Sequence, residues 1–587
     1  MSEYRFPRQD AQFVLDHIVN FSGLCAEIGH DDLASGLSDA ILDEAARLGE
    51  QVLAPLNKVG DQQGAVLGEK GVEETAGFAQ AYKQFAQSGW PSLVAPEAFG
   101  GQALPKVIST AVNEVWQSSN MAFALCPLLT QGAIEALLTH ASDELKETYV
   151  TPLVSGEWTA TMNLTEPDAG SDLAAIKSRA VPEGDHYRIT GQKIFITWGD
   201  HQMADNIIHL VLARLPDAPA GVKGISLFVV PKFLVNADGS LGERNDAKAV
   251  SLEHKLGIHA SPTCVMSFGD EGGAIGYLVG EPHTGLACMF TMMNDARQGV
   301  GLQGLAISER AYQHARTYAQ ERIQGTLRDG SRVNLMKHPD VRRMLMLMKS
   351  GVEAMRALMY LASATGDQLE HASANEAYAL QARVDLYTPI VKGWMTELAQ
   401  EVTSLGVQIH GGMGFVEETG AAQFLRDARI LPIYEGTTGI QALDLVGRKT
   451  LSDEGQALTL LLQEVETELA NMLLPDTLSG ALERCQMGVD NAKEALAYLL
   501  ANPKQAPAIG VNLMMLLGYL LGGWLMLRAA GKAQELSKQP SADTAFLMTK
   551  QQTAHFYCEH YLPRIAMHLA IINAGGESLM AIDEAQF

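Results

Sequence analysis

The feature that most constrains this chain is a switch in hydrophobic period along its length. From about residue 10 to 156 apolar residues recur at helical spacing, as in Ala40-Ile41-Ala45-Leu48-Val52 and Ala133-Ile134-Leu137-Leu138, with Pro and Gly clusters between them. From 159 to about 285 the pattern becomes short β-rich runs, among them residues 207–212 and 225–230, separated by turns such as Asp238-Gly239. Helical periodicity returns over 286–446, and a Ser-Asp-Glu-Gly break at 452–455 opens a further helical tail. This α, β, α, α order predicts an α+β fold that is mainly α. Its expected parts are a helical domain with a short N-terminal extension (1–158), a central β-domain (159–285), a helical bundle (286–450) and an additional helical domain (451–587). At about 150 residues per domain, 587 residues suit four such units.

Charge and cysteine usage exclude several function classes. With 43 Lys+Arg against 68 Asp+Glu the net charge is -25, which repels phosphate backbones and anionic lipid heads, so neither nucleic acid nor a membrane is the expected bulk partner. At most a peripheral membrane contact is expected, and a locally basic site for an anionic ligand stays open. The six cysteines, Cys25, Cys126, Cys264, Cys288, Cys485 and Cys558, are far apart without a Cys-x-x-Cys pair, which fits a reducing compartment and provides no metal framework. Residues 1–10 mix charge and Pro with no apolar core, so a cytoplasmic location is expected. Residues 505–527 carry one charge-free apolar stretch. Its dense part, 513–527, is short for a span and holds Gly518, Gly522 and Gly523, so a buried bundle helix is predicted there.

Gly299-Val300-Gly301-Leu302-Gln303-Gly304 matches a dinucleotide pattern in form, but no strand precedes it, and these glycines are expected to let helices pack closely. Walker, zinc-protease and serine-esterase motifs do not occur. Three segments carry more chemistry. Residues 162–172, Met-Asn-Leu-Thr-Glu-Pro-Asp-Ala-Gly-Ser-Asp, offer hydroxyl and backbone donors around a tight turn, and also read as an ordinary turn entering a strand. Residues 191–199 form an amphipathic strand able to line a planar ring, or a plain hairpin strand. The third comprises residues 408–415, Gln-Ile-His-Gly-Gly-Met-Gly-Phe, followed by Arg426-Asp427-Ala428-Arg429 and Ile433-Tyr434-Glu435-Gly436-Thr437-Thr438-Gly439.

Glu435 stands among apolar and glycine neighbours. Poor solvation there would raise its pKa toward the range of a general base, Gly436 would let a ligand approach the backbone, and the following N–H groups could meet an oxyanion. A Glu favoured at a helix N-terminus by the dipole is the plainer alternative.

Taken together, in this order and spacing, the three segments resemble the acyl-CoA dehydrogenase family of flavoproteins over roughly 42–446. The resemblance implies a helical N-terminal domain, a central β-barrel-like domain and a C-terminal four-helix bundle, with FAD as cofactor. It implies that Met162, Leu164, Thr165 and Ser171 contact the flavin side, that Ile196 and Thr197 close over the ring beside Phe195, and that Thr437 also contacts the cofactor. Ser171, Asn294, Arg297 and Gly436 are implied substrate contacts. Gln408, Gly411 and Gly412 look like the contact to the ADP half of a FAD held mainly by the neighbouring subunit.

One departure concerns Arg322-Ile323-Gln324-Gly325, where the family usually has Arg-x-x-Phe-Gly; Arg322 is still implied at the FAD pyrophosphate. That departure and the flanking sequence at both ends are similar to a long bacterial subgroup that includes methylthiopropionyl-CoA and fatty acyl-CoA dehydrogenases, which implies a homodimer. The implied reaction is α,β-dehydrogenation of an acyl-CoA thioester, with Glu435 taking the α-proton and hydride passing to flavin N5. An electron-transfer flavoprotein would accept the electrons, and no metal is implied. Family members with the base placed just before the Arg matching Arg297 would need a carboxylate where this chain has Ala296. An acyl-CoA oxidase and a DNA-associated flavoprotein of the same fold are the alternatives.

Overall fold

The computed structural model describes residues 3–587, and the chain forms two compact units, each assembled from separated stretches. One comprises Arg47–Pro105 and Ser119–Gly299. Its centre is an eight-stranded sheet: β1 (Trp158–Asn163), β2 (Arg179–Glu183), β3 (His186–Thr197), β4 (Asn206–Arg214), β5 (Ile225–Pro231), β6 (Ala247–Leu252), β7 (Thr263–Phe268) and β8 (Ala274–Val279). The order is β6-β7-β3-β8-β5-β4-β1, and β2 pairs with both β3 and β4. The ring β3-β8-β5-β4-β2 therefore closes, through the single pair Arg179↔Arg214, into the expected barrel-like body. β4 and β5 are buried along their length, with Arg214 alone half-buried, because both faces are covered, which is why those runs read as strands without alternation. The helices Met121–His140 and Asp143–Ser155 share one apolar core with β1, β4 and β5, built on Leu137, Leu153, Trp158, Leu210 and Leu227.

The second unit comprises residues up to Ala46, Lys106–Ser118 and Val300–Phe587. This grouping cuts across the segments drawn from sequence pattern. Its long helices Pro339–His371, Ala374–His410 and Ala506–Leu536 pack along one another. A capping box, Ser373 with Glu376, starts the second of these, and left-handed Gly411 (φ 61°) ends it. Close packing uses glycine at the approach points: a Cβ on Gly301 would stand 2.4 Å from Val391, and one on Gly518 would stand 2.1 Å from the Trp394 ring. The Gly-x-Gly-x-x-Gly run thus lies inside the helix Gly285–Glu321 as a packing seam.

Among the described residues two helices, Met121–His140 and Pro503–Leu536, are long and apolar enough to cross a membrane, and their apolar windows are 78% and 89% buried in the protein. Every residue from 513 to 527 except Met515 is buried. An all-round apolar helix needs such a position in a bundle.

A buried charge cluster ties this unit together. The Arg356 guanidinium bonds Glu114 (2.6 Å), Glu309 (2.8 Å) and Asp10 (2.5 Å), and Tyr360 donates to Glu114 (2.7 Å). Lys550 continues the cluster to Asp10 (2.6 Å) and Glu353 (2.7 Å). Removing one partner would leave a buried charge unmatched, which is the costly way to break such a pair.

Candidate active site

In the sheet-bearing unit the first two motif segments are fastened to each other. The Ile194 N–H donates to the Thr165 carbonyl (2.9 Å), and the wholly buried Lys193 Nζ reaches the Leu164 carbonyl (3.0 Å) and the Glu166 carboxylate (2.8 Å). Glu166 also accepts the backbone N–H groups of Lys177 (2.5 Å) and Ser178 (3.1 Å). Burial pushes the Glu166 carboxyl up, but Lys193 and these donors more than reverse it, holding the group below the usual range. Burial pushes the Lys193 amine down to about 8 against the pull of Glu166.

Above this clasp sit the predicted flavin contacts. Leu164 is buried, Met162 and Thr165 are half-buried, and Ser171 is exposed beyond the turn. On β3 a bulge opposite Cys264 and Met266 breaks the alternation. Phe195 adopts left-handed backbone (φ 60°) and turns out to solvent at 58% exposure, while Ile196 is buried and Thr197 half-buried. Trp198, also left-handed (φ 52°), is buried and donates its indole N–H to the Ala122 carbonyl (3.0 Å). On the helix Gly285–Glu321, Arg297 is 3% exposed and lies 3.4 Å from the Asn294 side chain, so Asn294 is the member of the pair open to solvent. Ala296 is buried and Asp295 half-buried.

The helical unit gathers Glu435, Gly436 and Thr437 on a sharp turn. Glu435 is half-buried with φ 55°, and Gly436 follows with φ 93°. Two consecutive left-handed residues reverse the chain just before the helix Thr438–Leu443, whose N-cap is Thr437, accepting from the Ile440 N–H (3.3 Å). Glu435 therefore lies outside the helix and is not its first-turn acid. Buried Lys392 Nζ donates to the carbonyls of Gly436 (2.6 Å) and Leu431 (2.9 Å). The Gln441 amide donates to the carbonyl of Glu435 (3.1 Å), and the Tyr434 hydroxyl donates to Gln303, which in turn donates to Gln117 (3.2 Å).

Lys392 and Gln408 share the helix Ala374–His410, sixteen residues apart, which is about 24 Å along the axis. Gln408, Gly411 and Gly412 are all exposed, and a Cβ at either glycine would meet nothing within 4 Å. Arg322 is exposed between that unit's long helix and the hairpin Ile323–Thr326 with Arg332–Asn334, its carbonyl accepting from Leu335 N (3.0 Å).

Sequence reasoning missed Lys392, Gln441 and Gln303, and treated Lys193 only as part of a strand. A detectable signal was present: Lys392 interrupts the run Ile390-Val391-Lys392-Gly393-Trp394-Met395, where a lone lysine in an apolar stretch needs an internal partner.

Within the sheet-bearing unit the lining suits a flavin ring. Apolar Met162, Leu164 and Ile196 and hydroxyl-bearing Thr165 and Thr197 lie on hydrogen-bonded neighbouring segments, and in the helical unit the open glycines 411 and 412 leave backbone accessible to a polar ligand.

Comparison with known proteins follows the same lines. Family models match at residues 38–157 (Acyl-CoA dehydrogenase, N-terminal domain), 161–270 (Acyl-CoA dehydrogenase, middle domain), 283–450 (Acyl-CoA dehydrogenase, C-terminal domain) and 461–583 (Acetyl-CoA dehydrogenase C-terminal like). The chain is 45% identical over 593 residues to the 3-methylmercaptopropionyl-CoA dehydrogenase of Ruegeria pomeroyi, covering 98% of this chain and 99% of that protein. It is 34% identical over 621 residues to a broad-specificity linear acyl-CoA dehydrogenase of Mycobacterium tuberculosis, covering 100% of both. Among solved structures, Caenorhabditis elegans ACDH-11 in complex with C11-CoA shares the fold at TM-score 0.75 and 22% identity, over 96% of this chain and 93% of that one.

Proposed function

The chain belongs to the acyl-CoA dehydrogenase family, and on that premise we propose that it converts an acyl-CoA thioester to the trans-2-enoyl-CoA with FAD as cofactor and Glu435 as base. The observation that carries the assignment of the base is the backbone of Glu435. A non-glycine residue held left-handed at φ 55°, inside a turn fastened by buried side chains, is stored strain of the kind found where a side chain must be aimed.

The Glu435 carboxylate takes the α-proton of the thioester. The developing enolate-like oxygen needs donors, and the Glu435 backbone N–H would be one of them. Met162, Leu164, Thr165, Ser171, Phe195, Ile196, Thr197 and Thr437 would hold the flavin, and Arg322 its pyrophosphate. FAD, when bound, supplies the two-electron acceptor for the hydride that leaves the β-carbon. Ser171, Asn294, Arg297 and Gly436 would orient the acyl-CoA, with Asn294 at the solvent side.

Gln408 lies about 24 Å along the helix from Lys392, and Gly411 and Gly412 follow the helix end on an exposed rim with Met413 and Phe415, which supports their use by the FAD of a partner subunit and hence a homodimer. The remaining parts of the reading are an electron-transfer flavoprotein as acceptor, a cytoplasmic location and a role in acyl-chain β-oxidation. Similarity to a 3-methylmercaptopropionyl-CoA dehydrogenase along the whole chain makes short and thioether-bearing acyl-CoA thioesters the first substrates to try.

The test is Glu435→Gln, which keeps size and removes the base. The variant should keep FAD and bind substrate, while flavin bleaching in stopped-flow falls by about 10²–10⁴-fold. Bleaching near the wild-type rate would reject Glu435, and Asp295 would be examined next.

A further inference from the structure

Several features of the helical unit converge on one turn and have no part in the chemistry described so far. Lys392 is wholly buried, yet its Nζ reaches backbone carbonyls at Leu431 and Gly436, on either side of Glu435. Gln441, also wholly buried, reaches the carbonyl of Glu435 itself. Two further side chains of the Lys392 helix tether the same loop: Glu397 accepts from the Thr438 hydroxyl (2.5 Å), and Gln400 donates to the Ala428 carbonyl (2.7 Å). Burying a lysine and the Gln441 amide in order to bind backbone is costly unless the loop must keep one conformation.

The bonds also fix direction. In a trans peptide the C=O and N–H groups point opposite ways. Holding the carbonyls of Glu435 and Gly436 toward Gln441 and Lys392 turns the N–H groups of Gly436 and Thr437 to the other side of the chain. The left-handed conformation at Glu435 sets its side chain relative to the same peptide planes, so the anchors settle where the carboxylate projects.

We propose that Lys392 and Gln441 are positioning residues for the base: by clamping the carbonyls of Gly436 and Glu435 they hold the left-handed turn that aims the Glu435 carboxylate. This rests on the reading of Glu435 as base, and the experiment separates the two. Lys392→Met and Gln441→Met are prepared as FAD-loaded enzymes, alone and in the Glu435→Gln background, and flavin reduction is followed by stopped-flow over a range of acyl-CoA concentrations.

The limiting reduction rate should fall about 10–100-fold in each single variant, with half-saturation by substrate moved less than about threefold, as for a reacting group misplaced by a fraction of an ångström to an ångström. In the Glu435→Gln background neither change should slow reduction further, because a residue that acts through the base has nothing left to aim. Limiting rates within twofold of wild type, or losses that multiply undiminished with Glu435→Gln, would overturn the proposal. If Lys392→Met is recovered without FAD, Gln441→Met decides by the same criteria. A fully active Glu435→Gln protein would instead reject the base assignment.

Discussion

Two buried lysines fasten the two loops that carry the motifs, and they do so by different chemistry. Lys193 gives one bond to the Leu164 carbonyl and another to the Glu166 carboxylate, which is itself held by two backbone N–H groups. Lys392 gives bonds to two carbonyls, of Leu431 and Gly436, across a turn with two left-handed residues. The first clasp sits under a relaxed Pro/Gly turn and depends on a titrating partner. The second acts on a strained turn, and carbonyl oxygens do not titrate. The contrast separates holding a loop in place, where an ion pair suffices, from holding peptide planes in a set direction, where bonds must be made to the backbone itself.

The largest stability effect expected from breaking this comparison is at Lys193. Lys193→Met strands the Glu166 carboxylate in a buried site, and loss of one partner of a buried pair costs about 3–5 kcal/mol. Thermal unfolding of the FAD-loaded protein should register it together with weakened flavin retention; an unchanged midpoint would mean the pair is not what holds the cradle.

A smaller effect follows from acid. Because the Glu166 carboxyl is held below its ordinary value of 4.5, its contribution is fully present above that pH and is lost as pH falls through the lowered folded value. Wild-type protein should shed FAD and stability on acidification below about 4.5, and Lys193→Met should show a weaker dependence in the same window. Equal pH profiles for the two would remove Glu166 from the account.

The smallest effect sharpens the other side. Gly436→Ala puts a Cβ into a left-handed position (φ 93°), 2.7 Å from the Gln441 amide nitrogen, at a cost of about 1–2 kcal/mol. Stability should fall only by that amount while flavin reduction falls disproportionately. A proportionate fall would place the turn outside the machinery of the base.

Much of the fold could be read from local pattern because local pattern caused it. Residues 207–212 and 225–230 became β4 and β5, the apolar stretch 513–527 became the interior of the helix Ala506–Leu536, and Gly301 and Gly304 proved to be packing glycines inside a helix. What stayed hidden was set by partners distant in sequence. Closure of the strand ring depends on one pair, Arg179↔Arg214, that no alternation announces. The outward turn of Phe195 comes from a bulge against a strand about seventy residues later. Glu435 stood out because a carboxylate among glycines is unusual, whereas its anchors are 43 residues upstream at Lys392 and six downstream at Gln441, in helices whose period looks ordinary.

The Asp10 side chain meets Lys550 across 540 residues of sequence, and both share the cluster around Arg356 and Glu353. On a ribosome adding about 5–20 residues per second, Asp10 and Arg356 emerge well before Lys550 does, so for roughly ten to forty seconds after Arg356 is made the nascent chain carries a charged knot one cation short. Completion of this knot thus waits on a lysine made long after its first members. A polypeptide that stops before Lys550 leaves Asp10 and Glu353 buried with one cation fewer between them, and it should be recognisable to proteolysis as unfinished even when its flavin-binding segments have been made in full.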